Sequence, residues 1–202
     1  MSKAELIEKI ASEIRVCVKC PLWKGRRNAV PGEGNIDATV VFVGEAPGYW
    51  EDAKGLPFVG AAGKILNTLL TKIGLPREHV FITNVVKCRP PENRDPKPDE
   101  VKTCTSLYLN RQIALIQPKI IVTLGRHSTA YTLSKTSLET KTVEGITQLH
   151  GKVIQTQFLN LPVSVIPMFH PAAVLHNPKY REALESDFDL LKNELKKLGS
   201  LA

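Results

Sequence analysis

Thr39-Val-Val-Phe-Val43, followed at once by Gly44, decides how this chain folds. Five successive β-branched or aromatic residues without polar alternation leave no face for water. The run therefore reads as a strand buried on both sides, as strands of parallel sheets are. Working outward, the same signature returns at Val80-Phe-Ile-Thr-Asn-Val-Val86 and at Lys119-Ile-Ile-Val-Thr-Leu124. Two later strands are expected near residues 153–158 and 163–168. Helical patterns, with apolar residues three and four apart, cover residues 2–15, about 61–73, about 99–116 and 178–198. Residues 45–60 read as a long loop, 89–98 as an irregular proline-rich loop, and 134–150 as a polar stretch of undecided structure. Strand–helix alternation with buried strands predicts an α/β fold: a three-layer α/β/α sandwich around a mainly parallel, roughly four-stranded sheet, forming a single domain over residues 1–202.

Composition sets the outer bounds. The chain has 202 residues, 43% of them hydrophobic, enough for a full core. No apolar run approaches the length of a membrane helix, so a soluble protein is expected. Residues 1–14 form a charged amphipathic stretch with none of the apolar character of an export signal, which predicts a cytoplasmic protein. Lys and Arg outnumber Asp and Glu, 27 to 20, for a net charge of +7. That excess suits a polyanion partner without proving one. The local basic runs, Lys24-Gly-Arg26-Arg27 and Lys87-Cys-Arg89 with Arg94, read by themselves as solvated loops.

All four cysteines fall in two pairs: Cys17-Val-Lys-Cys20, then Cys88 and Cys104 with fifteen residues between them. A Cys-x-x-Cys turn directs two sulfurs into one coordination sphere, and a second pair completes a four-thiolate site. Such a site suits tetrahedral zinc or an iron–sulfur cluster. The ordinary alternative is two disulfides or four separate buried thiols, and a reducing compartment argues against the disulfides.

In an open α/β sheet the ligand crevice lies beyond the carboxyl ends of the strands. Those ends carry Gly44-Glu-Ala-Pro-Gly48, Asn84, Gly125-Arg-His127 and His170-Pro-Ala-Ala. The glycines of the first allow backbone to approach a ligand, though a plain tight turn has the same pattern. An asparagine at an apolar strand end can read the edge of a nucleobase or cap backbone groups. A lone histidine before a helix is as often a cap as a catalyst.

Taken in order, Gly44-Glu-Ala-Pro-Gly48, Phe58-Val-Gly60, Ile82-Thr-Asn84, Lys87-Cys-Arg-Pro-Pro91 and His170-Pro-Ala-Ala-Val-Leu175 resemble the iron–sulfur family of uracil-DNA glycosylases, from Cys17 to the last helix. The resemblance implies an enzyme of base excision repair that flips uracil out of DNA and hydrolyses its glycosidic bond. It also implies a [4Fe–4S] cluster on Cys17, Cys20, Cys88 and Cys104, where spacing alone left zinc open. Phe58 would stack on the flipped base and Asn84 would read its O4 and N3–H edge. His170 would donate to O2 as charge develops there. The chain departs from better-known uracil glycosylases at Ala46, where an aspartate orients water, and at Gly48, where a tyrosine excludes the thymine methyl. Glu45 is then the expected water-positioning residue, with Glu51 a second carboxylate and a candidate methyl gate. DNA handling would fall to Arg89 and Arg94 at phosphates and to Val174 and Leu175 as a wedge. The expected partner is uracil-containing DNA, single- or double-stranded, bound by a nucleoid-associated monomer; a sliding-clamp contact is left open.

Three competitors share parts of this pattern. A metal-bearing nucleic-acid-binding module explains the cysteines and the charge but not the residues gathered at the strand ends. A plain electron-transfer iron–sulfur protein leaves the same residues idle. A zinc deaminase needs His-x-Glu, and none of His79, His127, His150, His170 or His176 has glutamate two places on.

Overall fold

The buried run at residues 39–43 becomes β2 (Val40–Gly44) at the middle of a six-stranded sheet. The computed structural model describes residues 1–135 and 145–200. The other strands are β1 (Glu33–Gly34), β3 (Phe81–Asn84), β4 (Ile120–Leu124), β5 (Ile154–Phe158) and β6 (Leu161–Met168). Their spatial order is β1-β3-β2-β4-β6-β5. The inner four are parallel, and β1 and β5 add antiparallel edges. The expected count of about four is thus corrected to six. The missed strand β1 is a two-residue pairing too short for any periodicity to announce.

Period-two alternation sends Val41 and Val43 to one face and Val40 and Phe42 to the other, and every residue of β2 is buried. The first face packs on α1 (Lys3–Arg15) through Ile10 and Ile14. It also packs on a helical stretch formed by α4 (Pro98–Cys104), a π turn at Thr105–Leu109 and α5 (Asn110–Ile116). The second face packs on α3 (Ala61–Lys72) and α9 (Tyr180–Lys197), with Phe188 stacked 6.0 Å from Phe42. These two covered faces make the three-layer sandwich. The π turn interrupts the single helix expected there; Thr105 and Ser106 bond back to Val101 and Lys102 carbonyls, the local competition that deforms helices.

Shorter helices complete the chain: α2 (Tyr49–Lys54), α6 (Arg126–Ser134), α7 (Ile146–Leu149) and α8 (Ala172–His176). Helix α2 lies in the stretch expected to be loop, and its six residues are too few to show amphipathic spacing. Of the undecided polar stretch, α7 is helical and residues 136–144 lie outside the described residues. Among the described residues no helix is long and apolar enough to cross a membrane.

Register fixes what meets at the sheet's carboxyl edge. Gly44 pairs with Asn84, and Leu124 with Met168, so Gly44, Asn84, Gly125 and His170 converge there.

Candidate active site

A cleft of about 340 Å³ opens at that edge, a size that suits a small organic ligand. Glu45, Ala46, Gly48 and Glu51 line one side, and Phe58, Asn84 and His170 line its depth. The residues expected from the strand ends are therefore neighbours in space. Pro90, Asn93 and Arg94 from the proline-rich loop complete the wall.

Two glycines make the depth possible. A Cβ on Gly44 would lie 2.3 Å from Asn84 Oδ1 and 2.8 Å from the Phe58 ring. A Cβ on Gly63 would lie 1.8 Å from the Phe58 carbonyl oxygen, where Phe58 itself holds a positive φ of 49°. Strain of this kind gathers at functional sites. Phe58 stacks on the His170 ring at 5.6 Å between centroids and 30° between planes.

Asn84 is 1% exposed, yet its Oδ1 has no hydrogen-bond partner among the described residues. A buried acceptor left open costs about 1–3 kcal/mol unless a ligand fills it. Its backbone carbonyl, in contrast, is held by Lys87, which is also 1% exposed. The three ammonium protons meet three acceptors: Thr83 Oγ1, Asn84 O at 2.9 Å and Gln112 Oε1 at 2.8 Å. Burial pushes the Lys87 pKa down to about 8, opposed by the nearby Cys104 and Cys88. Reading Lys87 as part of a solvated basic loop is corrected by this burial.

His170 is held neutral because burial pushes its pKa down to about 4, with Glu51 opposing. Its Nδ1 accepts the Ala172 N–H at 3.1 Å, so the ring proton sits on Nε2, a donor into the cleft. Gly125, at φ 92°, leaves room for this ring; a Cβ there would sit 3.1 Å from His170 Cβ.

The two carboxylates differ. Glu51 Oε1 accepts the N–H groups of Val59 and Gly60, both at 2.9 Å, and thereby ties the Phe58 loop to α2. Its Oε2 lies where a Cβ on Gly48 would come within 2.8 Å, so glycine at 48 makes space for that carboxylate. Glu45 stands at the mouth, its pKa raised by burial and drawn back by His127, whose Nε2 lies 3.9 Å from Glu45 Oε2. Asp95 Oδ2 lies 3.2 Å from the same nitrogen and 2.6 Å from Arg126 Nη2. His127 sat at a strand end flagged by the sequence, without a role. Asp95 carried no signal, because only folding brings it there.

The residues expected at DNA separate. Arg94 is engaged by the buried Glu100 at 2.9 and 2.7 Å and holds its carboxyl below the usual range. Arg89 donates from Nε to Asn93 Oδ1 at 2.8 Å and lies over the Tyr49 ring. Leu175 is 52% exposed, but Val174 is buried against the core of α3 and α9. Val174, expected beside Leu175 as part of a wedge, is instead a packed core residue, and of the two only Leu175 is exposed.

The four cysteines meet in a separate recess with Tyr108 and Arg26, and none is in a disulfide. Helix α1 ends just before Cys17, and Cys104 closes α4. Donors already point at the sulfurs: Arg26 Nη1 to Cys88 Sγ at 3.0 Å, Lys87 N–H to Cys104 Sγ at 3.3 Å and Lys19 N–H to Cys17 Sγ at 3.5 Å. Burial pushes the thiols of Cys20 and Cys88 up, and that of Cys104 to about 12. Four thiolates here need positive charge at their centre, so the donor set fits a thiolate-bound metal group.

With this geometry in view, a family model described as the uracil DNA glycosylase superfamily matches residues 31–195. The chain is 53% identical to a type-4 uracil-DNA glycosylase of Saccharolobus solfataricus, over 94% of this chain and 86% of that one. A type-4 uracil-DNA glycosylase of Archaeoglobus fulgidus is 50% identical, over 98% and 94%. One of Thermotoga maritima is 41% identical, over 98% and 99%.

The neutral His170 has a consequence for acid stability. Its pKa is about 4 when folded against an ordinary 6.5, so its contribution is complete above about pH 6.5 and lost as pH falls toward 4. Chemical denaturation across this range should show the native protein losing more stability on acidification than His170→Gln. Parallel losses would contradict a buried neutral imidazole.

Proposed function

The chain belongs to the uracil DNA glycosylase superfamily, alongside the type-4 enzymes, and on that footing we propose that it releases uracil from DNA and leaves an abasic site, as a step of base excision repair. The observation that carries the reading is the open, buried Asn84 Oδ1 facing the same cleft as a neutral His170. Uracil inside a duplex is out of reach, so the nucleotide must swing into the cleft, at a few kcal/mol of lost stacking and pairing. Phe58 stacks on it. Asn84 Oδ1 accepts from N3–H, and the amide nitrogen donates to O4. Cytosine presents the reverse pattern, and a fixed amide rejects it.

As the glycosidic bond breaks, the electron pair leaves with the base, and charge collects at O2. His170 Nε2–H donates to that oxygen without bringing a full charge of its own. Water then bonds to the sugar carbon and loses one proton to solvent at the mouth of the cleft, and the uracil anion takes up a proton from solvent on release. Glu45 positions that water, because Ala46 has no group that can. Glu51, whose carboxylate fills the space beside Gly48, is assigned to exclusion of the thymine methyl. Leu175 wedges the opened stack, and Arg89 meets phosphate. Arg94, held on Glu100, shapes the cleft wall.

Cys17, Cys20, Cys88 and Cys104 hold a [4Fe–4S] cluster in this proposal, the group its type-4 relationship favours over zinc. When bound, it supplies a structural crosslink between α1, the proline-rich loop and α4. The working unit is a single-domain monomer in the cytoplasm, associated with the nucleoid.

Release of free base from single- and double-stranded DNA tests the reading directly. Uracil should appear, and cytosine and thymine should stay bound. No uracil released by iron-loaded protein overturns the proposal. His170→Ala should lower the single-turnover rate by about 10²–10³-fold, as loss of one donor at a developing oxyanion does. A rate within threefold of native would remove His170 from the chemistry.

Cys88→Ser should lose iron and visible absorbance and unfold at lower temperature. An iron-free variant with the native melting temperature would show that the cysteines do not support the fold.

A further inference from the structure

The first turn of α2 leaves two large aromatic side chains in water: Tyr49 is 44% exposed and Trp50 is 55% exposed. They pack edge to face at 5.2 Å and 87°, so the pair presents two ring surfaces at right angles. The guanidinium of Arg27 lies 5.2 Å from the Tyr49 ring centroid and that of Arg89 lies 5.3 Å from it. Exposed aromatics of this size with two cations over one ring are not what a merely solvated helix needs.

The arrangement is held in place. Asp52, buried one turn along, accepts the backbone N–H of Arg27 at 2.9 Å. Arg89 is fixed through Nε by Asn93, a residue of the cleft wall. Among the described residues neither guanidinium is ion-paired to a carboxylate, unlike Arg94 and Arg126. The patch is also continuous with the cleft. Gly48, immediately before Tyr49, lines it, and Trp50 packs beside Gly60 at the end of the Phe58 loop.

We infer that Tyr49 and Trp50 form a stacking platform for a nucleobase adjacent to the flipped nucleotide, with Arg27 and Arg89 neutralising the phosphates on either side of it. Bases stack on aromatic rings whatever their identity, and guanidinium groups bind the backbone without reading sequence. Such a platform would catch the neighbour that loses its stacking partner when uracil leaves the helix. It would also hold single strands, which arrive with their bases already unstacked. The inference rests on the glycosylase reading, and extends it to a strand contact outside the base pocket.

Fluorescence of 2-aminopurine tests it. Oligonucleotides carrying a tetrahydrofuran abasic site are made with 2-aminopurine on its 5′ or its 3′ side, single- and double-stranded. The native protein should quench one of the two positions. Trp50→Ala and Tyr49→Ala should abolish that quenching and weaken single-strand binding by about tenfold or more. Trp50→Phe and Tyr49→Phe should restore most of both, and all four variants should melt with the native protein because the rings are exposed. Native protein that releases uracil yet quenches neither position overturns the platform and leaves the glycosylase standing. So does binding by the alanine variants within twofold of native. Native protein that releases no uracil overturns the underlying reading instead.

Discussion

A buried ammonium holds the two halves of this site together. Lys87 follows β3 by three residues and precedes Cys88, and its three protons satisfy Thr83, Asn84 and Gln112. Thr83 and Gln112 in turn both donate to the Pro31 carbonyl. Its own backbone N–H points at Cys104 Sγ. One residue therefore fixes the peptide that carries Asn84 while lying between two cysteines. A charge removed from water is tolerable only when its donors are fully met, and here the count is complete. The cleft and the cysteine recess are consequently joined: what steadies the cysteine loop also holds the backbone of Asn84, whose side chain lines the cleft.

The remainder of the cleft is an exercise in making room. Glycine at 44 and at 63 admits the Asn84 amide and the strained Phe58 backbone, and Glu51 fastens the loop that bears Phe58. Burial then does the electrostatic work. It keeps His170 neutral with its proton on Nε2 and raises the Glu45 pKa, against the pull of His127. Ala46 and Gly48 bring no polar side chain to the cleft they line. The carboxylates of Glu45 and Glu51 line the same cleft.

Much of this was legible before folding. Runs such as Thr39-Val-Val-Phe-Val43 have one physical solution, burial on both faces, and the strand ends then name the crevice. Asn84 and His170 stood out at strand ends, and Phe58 through the resemblance of the ordered motifs to the iron–sulfur uracil-DNA glycosylases. What escaped was local or long-range. Helix α2 and strand β1 are too short to carry a period. The burial of Lys87 is invisible in a run that reads Lys-Cys-Arg, because its three partners come from β3 and α5. Val174 and Leu175 are equal in sequence, and only packing sends one inward. Asp95 reaches Arg126 across thirty-one positions and meets His127 beside it, a meeting no spacing announces.

The most direct measurement is on Lys87→Met, which keeps an unbranched side chain one atom shorter and removes the ammonium protons. Each acceptor left without a donor costs about 1–3 kcal/mol, and Asn84 is one of the three. Iron content, melting temperature and the uracil-release rate are read on the same preparation. Iron should be retained, the melting temperature should fall and uracil release should weaken, because the Asn84 backbone carbonyl has lost its donor. A Lys87→Met protein that melts and releases uracil like the native one would contradict this role of Lys87.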